Sequence, residues 1–175
     1  MAYFQQAALS RPNYIYISGL YQEGVWTYVG RAQYVTGKLQ DARQSFERAL
    51  LVYQDDYLAR IYLGLTLARG GDQSRGLKEI QGGLKGLYDW LEYMNYSRPL
   101  EAFWDPLRHI RSEIEKDLAM LSGKDLVWPT LIESAEWVGD EMEKEIDRVR
   151  RDEQRFRDRD FPGRRGLSVG VGLGF

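Results

Sequence analysis

The sequence predicts an all-α fold of stacked helical hairpins, with further packing helices behind them and a flexible glycine-rich tail. Three observations carry that expectation. Shifted on itself by 34 residues, the chain brings like residues onto like. Apolar residues recur at i, i+3, i+4 and i+7, the spacing that gathers them on one helix face. Glycines stand where helices should end, because a helix commonly closes on a left-handed residue, a conformation glycine reaches without steric cost. With 175 residues, 43% hydrophobic and 29% charged, the chain can build one domain with a core and is too polar for a membrane bundle.

Residues 1–22 form an aromatic amino-terminal segment. Its densest part, Tyr14-Ile-Tyr-Ile-Ser-Gly-Leu-Tyr21, has no decisive period. A capping helix over the first hairpin is expected, with an extended segment as the other form open to it; a ligand-stacking platform is a further use for such aromatics. Residues 23–56 and 57–90 then each read as a helix, a short turn at Gly37 or Gly70-Gly71, and a second helix. The offset places Val29 on Leu63, Gly30 on Gly64, Gly37 on Gly71, Ala42 on Gly76, Phe46 on Ile80, Ala49 on Gly83 and Leu50 on Leu84. Gly82, Gly83 and Gly86 fall inside the last of these helices, where each costs about 1 kcal/mol against Ala. Close packing against a bulky neighbour such as Trp90 or Tyr62 is the expected compensation.

Residues 97–149 supply flanking helices. Ser97-Arg-Pro-Leu100 interrupts helix, and Asp105-Pro106 reads as an N-cap followed by proline at the first helical position. Leu107, Ile110, Ile114, Leu118 and Leu121 then share a face up to Gly123. Trp128-Pro129 opens another helix, whose Leu131, Ala135, Val138, Met142, Ile146 and Val149 keep one stripe. Two hairpins are fewer than the ~3 that a solenoid needs for a continuous core, so both helices are assigned to packing. Residues 150–166 are a charged helical extension and linker; Asp147 to Arg151 and Glu153 to Arg157 are spaced to pair along it.

The repeat is similar to the tetratricopeptide repeat: Trp26, Val29, Gly30, Gly37, Ala42, Phe46 and Ala49 stand in that family's order and spacing. The resemblance covers residues 23–90 as two units. It is looser in the second, where Gly replaces both small Ala positions and Arg60 takes the Trp position. The family's closing Pro is absent, since Gln54 and Trp90 stand there. The resemblance implies a concave groove lined by the first helix of each unit, and a protein or peptide partner bound in it. Carried over residue by residue, the groove positions are Gly24, Thr27, Arg31, Tyr34 and Val35, then Leu58, Ile61, Leu65, Ala68 and Arg69. That surface is largely apolar and aromatic with two arginines, which suits a hydrophobic helix or an extended peptide.

The tail, residues 167–175, alternates Val169, Val171, Leu173 and Phe175 with glycine or serine, and period two is a strand signal. Its ending resembles the carboxy-terminal signal of outer-membrane barrel strands, in Ser168, Gly170, Leu173 and Phe175, and equally suits a groove that captures a free carboxylate. Hence a second reading: an assembly subunit that docks through Val169, Val171, Leu173 and Phe175 onto another copy or a β-rich partner.

Composition excludes much else. The 24 basic and 26 acidic residues give a net charge of -2, too little field to hold nucleic acid or anionic lipid. Without cysteine there is no disulfide, thiolate catalysis or thiolate-ligated metal. The opening residues lack the basic and apolar regions of an export signal, so the chain as written is expected to be soluble and cytoplasmic. Preceded by a leader, the same domain would belong to the periplasm or cell envelope. The single histidine, His109, has no nucleophile or orienting carboxylate at a recognisable spacing. Glu113 with Asp117 and Glu141 with Glu145 are paired carboxylates on helix faces, without a second histidine or a calcium loop to make a metal site. Gly82-Gly-Leu-Lys-Gly86 lacks the glycine spacing of a phosphate-binding loop. No catalysis, cofactor or metal is therefore expected.

Overall fold

The computed structural model describes residues 2–18, 20–97, 104–123 and 126–160. The tail at 167–175 and residues 161–166 before it lie outside the described residues. Within them the chain is all-α apart from one small hairpin: α1 (Ala2–Ser10), β1 (Ile15–Ser18), β2 (Tyr21–Gly24), α2 (Val25–Val35), α3 (Leu39–Val52), α4 (Tyr57–Arg69), α5 (Gln73–Ser97), α6 (His109–Ser122) and α7 (Trp128–Asp160). No helix among these residues is long and apolar enough to cross a membrane.

The internal repeat is written in the backbone. Helices α2 and α3 form one hairpin and α4 and α5 the next, and their turns match bond for bond. Gly37 and Gly71 hold φ of 74° and 94°. The Gly37 amide donates to the Tyr34 carbonyl at 3.0 Å and that of Lys38 to Gln33 at 2.9 Å; 34 residues on, Gly71 donates to Ala68 at 3.2 Å and Asp72 to Leu67 at 2.9 Å. A carbonyl caught five residues back, with a left-handed glycine inside the loop, satisfies the orphan acceptors at a helix end. Packing inside each hairpin repeats as well. A side chain on Gly30 would strike the Phe46 ring at 2.6 Å, and one on Gly64 would strike the Ile80 amide at 2.6 Å. Phe46 and Ile80 are both fully buried, with Leu58, Ile61, Leu65 and Leu84 around them.

The neighbours that explain the α5 glycines are not Trp90 or Tyr62. Gly83 lies against Ile61, Gly82 against the aliphatic stem of Arg60, and Gly86 against the Tyr57 ring. These bulky residues belong to α4, the helix antiparallel to α5, whereas Trp90 packs on Tyr21 and Trp104 with centroids 5.1 and 5.0 Å away.

Within the amino-terminal aromatic segment Ala2–Ser10 is helical, but the stretch from Tyr14 to Tyr21, expected as a capping helix, belongs to a β-hairpin. Strands β1 and β2 pair antiparallel with Ile15 opposite Gly24 and Ser18 opposite Tyr21. Alternation explains the outcome: Tyr21 and Glu23 turn inward and are buried, while Ile17 faces out at 62% exposure, and a run rich in Ile and Tyr favours the pleated form. The hairpin reaches α7 through a bond from the Ser18 hydroxyl to the Ile146 carbonyl.

Helix α6 starts at His109, three residues beyond the expected Pro106. Asp105 still caps it, accepting from the Ile110 and Arg111 amides at 3.1 Å each, but from a left-handed conformation with φ of 47°. The cause is a buried pair. Arg111 donates through Nε to Asp105 at 3.0 Å and through Nη2 to its carbonyl at 2.8 Å, and both side chains are almost fully enclosed. Seating that pair forces a turn at Pro106-Leu107 and leaves Leu107 outside the apolar face, 73% exposed. In α7 the stripe of Leu131, Ala135, Val138, Met142, Ile146 and Val149 is buried throughout, and the helix continues through the charged stretch to Asp160.

Candidate functional site

The face that the first helix of each unit turns away from its hairpin partner is occupied by α7. Arg31 of α2 forms an ion pair with Glu143 and a second contact to Asp140 at 3.3 Å, while its guanidinium lies 4.8 Å from the centre of the Tyr62 ring. Tyr34 donates its hydroxyl to Glu136 Oε1 at 2.5 Å, and Arg69 of α4 donates to the same oxygen at 2.6 Å while stacking 4.5 Å over the Tyr34 ring. Glu136, Asp140 and Glu143 stand at i, i+4 and i+7, one acidic row along α7. Gly139 between them lets Tyr62 press against the helix; a side chain there would sit 2.6 Å from the Tyr62 hydroxyl.

The predicted groove residues separate into three groups. Arg31, Tyr34 and Arg69 converge on α7. Leu58, Ile61 and Leu65 have no exposed surface, and Ala68 is buried too; they form the core beneath the face. Thr27 is also buried, donating its hydroxyl to Asp56 at 2.6 Å, and the Gly24 amide donates to the same oxygen at 2.8 Å. Val35 is 80% exposed. Apart from Val35, the residues expected to line an open groove are therefore core or covered by α7. Two hairpins leave a long apolar face, and the stripe of α7 covers it while the acidic row meets the arginines. Those acidic partners were missed in the sequence, although carboxylates at helical spacing opposite two arginines are the signal that would mark them.

Behind this face lies a cluster with no counterpart among the expected site residues. Glu23 of β2 and Asp56 before α4 are both fully buried, and Glu143 of α7 is half-buried beside them. Asp56 accepts three hydrogen bonds, from Gly24, Thr27 and the Ala59 amide at 2.9 Å. Burial nevertheless pushes its carboxyl up to about 6, outweighing those donors and Arg31. Burial, then the charges of Asp56 and Glu143, raise Glu23 well above the usual carboxylate range. The Tyr28 hydroxyl favours its charged form without completing a hydrogen bond to either oxygen. Glu143 is raised by burial against the opposing pull of Arg31. Burial likewise raises Tyr21 and Tyr28.

The carboxylate candidates of α6 and α7 are engaged structurally. His109 is exposed at the start of α6. Glu113 and Asp117 both lie 2.9 Å from the Ser134 hydroxyl, and Glu113 also accepts from Lys116. One hydroxyl has one proton, so both contacts form fully when Asp117 carries a proton itself; burial raises that carboxyl to about 6. Glu141 pairs with Lys144, and Glu145 with Arg148 and the Asp105 amide. Among the described residues no group of three His, Asp or Glu is placed to hold a metal ion. Against protein-family models, curated proteins and solved structures, the chain has no match.

Proposed function

We propose that this chain is a non-catalytic protein-interaction scaffold of the tetratricopeptide type, whose concave face receives an acidic amphipathic helix. One observation carries the reading: Arg31, Tyr34 and Arg69, side chains of two different hairpins, grip a single helix through one acidic row. The repeated turns at Gly37 and Gly71 support the family resemblance. In this chain the seat is taken by α7, so the protein binds a helix in cis and accepts one of the same chemistry in trans when α7 gives way. Helix-in-groove recognition of this kind is read from anchors at i, i+3, i+4 and i+7.

The test uses the full chain and a fluorescein-labelled peptide of residues 128–155. Glu136→Lys with Glu143→Lys unseats the resident helix, and the doubly changed chain is expected to bind the peptide at least about tenfold more tightly than the unchanged chain. Adding Arg31→Glu removes that gain. Equal binding by all three chains, or none by any, refutes the groove as a helix receptor.

A further inference from the structure

Strand β2 carries Glu23 into the interior with no exposed surface, and neither carboxyl oxygen completes a hydrogen bond among the described residues. Asp56 is satisfied by its three donors. Arg31, the cation whose charge opposes the raising of Glu23, Asp56 and Glu143, is already engaged by Glu143 and Asp140. Three carboxylates, two of them fully buried, would thus share one guanidinium. Like charges so placed cannot all ionise cheaply, and Glu23, which takes neither a backbone amide as Asp56 does nor the Arg31 guanidinium as Glu143 does, is the one held neutral.

We propose that the β1–β2 hairpin is a proton-held clasp over the concave face: neutral Glu23 lets it seat against α2 and α7, and ionisation of Glu23 lifts it and loosens α7 from Arg31. The groups facing Glu23 are Tyr21 on its own strand, Tyr28 and Arg31 of α2, Asp56 at the start of α4, and Glu143 of α7 with Asp140 and Asp147 beyond it. Helix α3 places Ala49 against Gly24 at this end of the hairpin, and β1 presents Tyr16, whose hydroxyl accepts from Arg150 at 3.3 Å. The hairpin's attachment to α7 is light. That Arg150 contact and the 3.4 Å bond from Ser18 to Ile146 are both long. Tyr21 anchors the far end of the hairpin on Trp90 and Trp104, so a charge at Glu23 is relieved where the hold is weakest, by parting the hairpin from α7. The inference stands on the cluster alone; what the opened face binds belongs to the proposed function and can fail separately.

A proton held only in the closed form makes the opening constant rise about tenfold per pH unit, from the ordinary glutamate value upward until the closed form itself ionises. Hydrogen exchange by mass spectrometry on the full chain, corrected for intrinsic exchange between pH 5 and 8.5, reads this directly. Opening of segments 14–24 and 140–150 is expected to rise with pH more steeply in the unchanged protein than in Glu23→Gln, by up to that tenfold per unit, while α4 stays protected. Asp56 and Glu143 add the same slope to both proteins, so the difference isolates Glu23. The same slope in both, or α4 opening in step with the hairpin, overturns the clasp. Glu23→Met is the second neutral variant; if neither neutral variant folds, the neutral form is not what seats the hairpin, and the proposal is likewise overturned.

Discussion

Thr27 donates its hydroxyl proton to Asp56 across a 2.6 Å hydrogen bond, and neither side chain has any exposed surface. The same carboxylate accepts from Gly24 at the end of β2 and from Ala59 in the first turn of α4. Three elements therefore meet on one residue. Asp56→Ala leaves buried donors unsatisfied and removes a helix cap together, and is expected to cost about 3 kcal/mol. Asp56→Asn keeps an acceptor for part of the set and should cost less. Urea unfolding of both variants checks this, and an alanine variant as stable as the parent would remove Asp56 as the junction.

Glycines in α4 and α5 give a prediction that changes sign with position. Propensity alone makes any helical Gly→Ala stabilising by about 1 kcal/mol. At Gly64 the added carbon would meet the Ile80 amide at 2.6 Å and the Gly76 carbonyl at 2.7 Å, both backbone atoms of the facing helix. Gly64→Ala is expected to destabilise by about 3 kcal/mol, since the helices must part. Gly82 meets only the movable Arg60 stem at 3.4 Å, so Gly82→Ala should stabilise by about 0.5 kcal/mol. Equal shifts in melting temperature for the two would refute the packing account.

The seat of α7 is tested by a double-mutant cycle between Arg31 and Glu143. Their side chains are 16% and 31% exposed, so the pair is screened less than a surface bridge, and a coupling of about 1.5 kcal/mol is expected. Arg31→Ala alone should cost more, because it also strips the cation from Glu23 and Asp56. A coupling near zero would mean that α7 does not rest on this face in solution.

How much of this was legible in the sequence depends on the range of the cause. The turns at Gly37 and Gly71 were, because a left-handed helix end calls for glycine wherever it occurs. So was the apolar stripe of α7, which needs only its own periodicity. The hairpin at Ile15–Gly24 was not, because eight residues dense in Ile and Tyr fit a helix cap and a pleated strand alike; what decides is that Tyr21 and Glu23 turn into an interior made by later elements. The start of α6 moved because Asp105 pairs with Arg111, a local contact that capping rules do not anticipate. Least visible was the seat of α7 on α2 and α4: Arg31 meets Glu143 and Arg69 meets Glu136 across 112 and 67 residues, and no window of sequence contains both partners.

The buried carboxyls also set how overall stability varies with pH. Asp56 and Asp117 are each raised from an ordinary 3.8 to about 6, and Glu23 and Glu143 are raised as well. A group whose folded value is raised binds more protons folded than unfolded, so stability is fully present below the unfolded value and is lost as pH climbs through the folded one. For Asp56 alone, about two units correspond to about 3 kcal/mol. Glu92 and Glu113 are lowered by their hydrogen bonds to Arg111 and Lys116 and act in the opposite sense, but both sit in solvent-screened pairs of small weight. Unfolding free energy measured in urea should therefore fall between pH 4 and pH 7. In Asp117→Asn, which keeps a hydrogen-bonding group beside Ser134 without a titrating proton, the fall should be shallower. Stability that rises over that interval would mean that these carboxyls are hydrated in the folded chain.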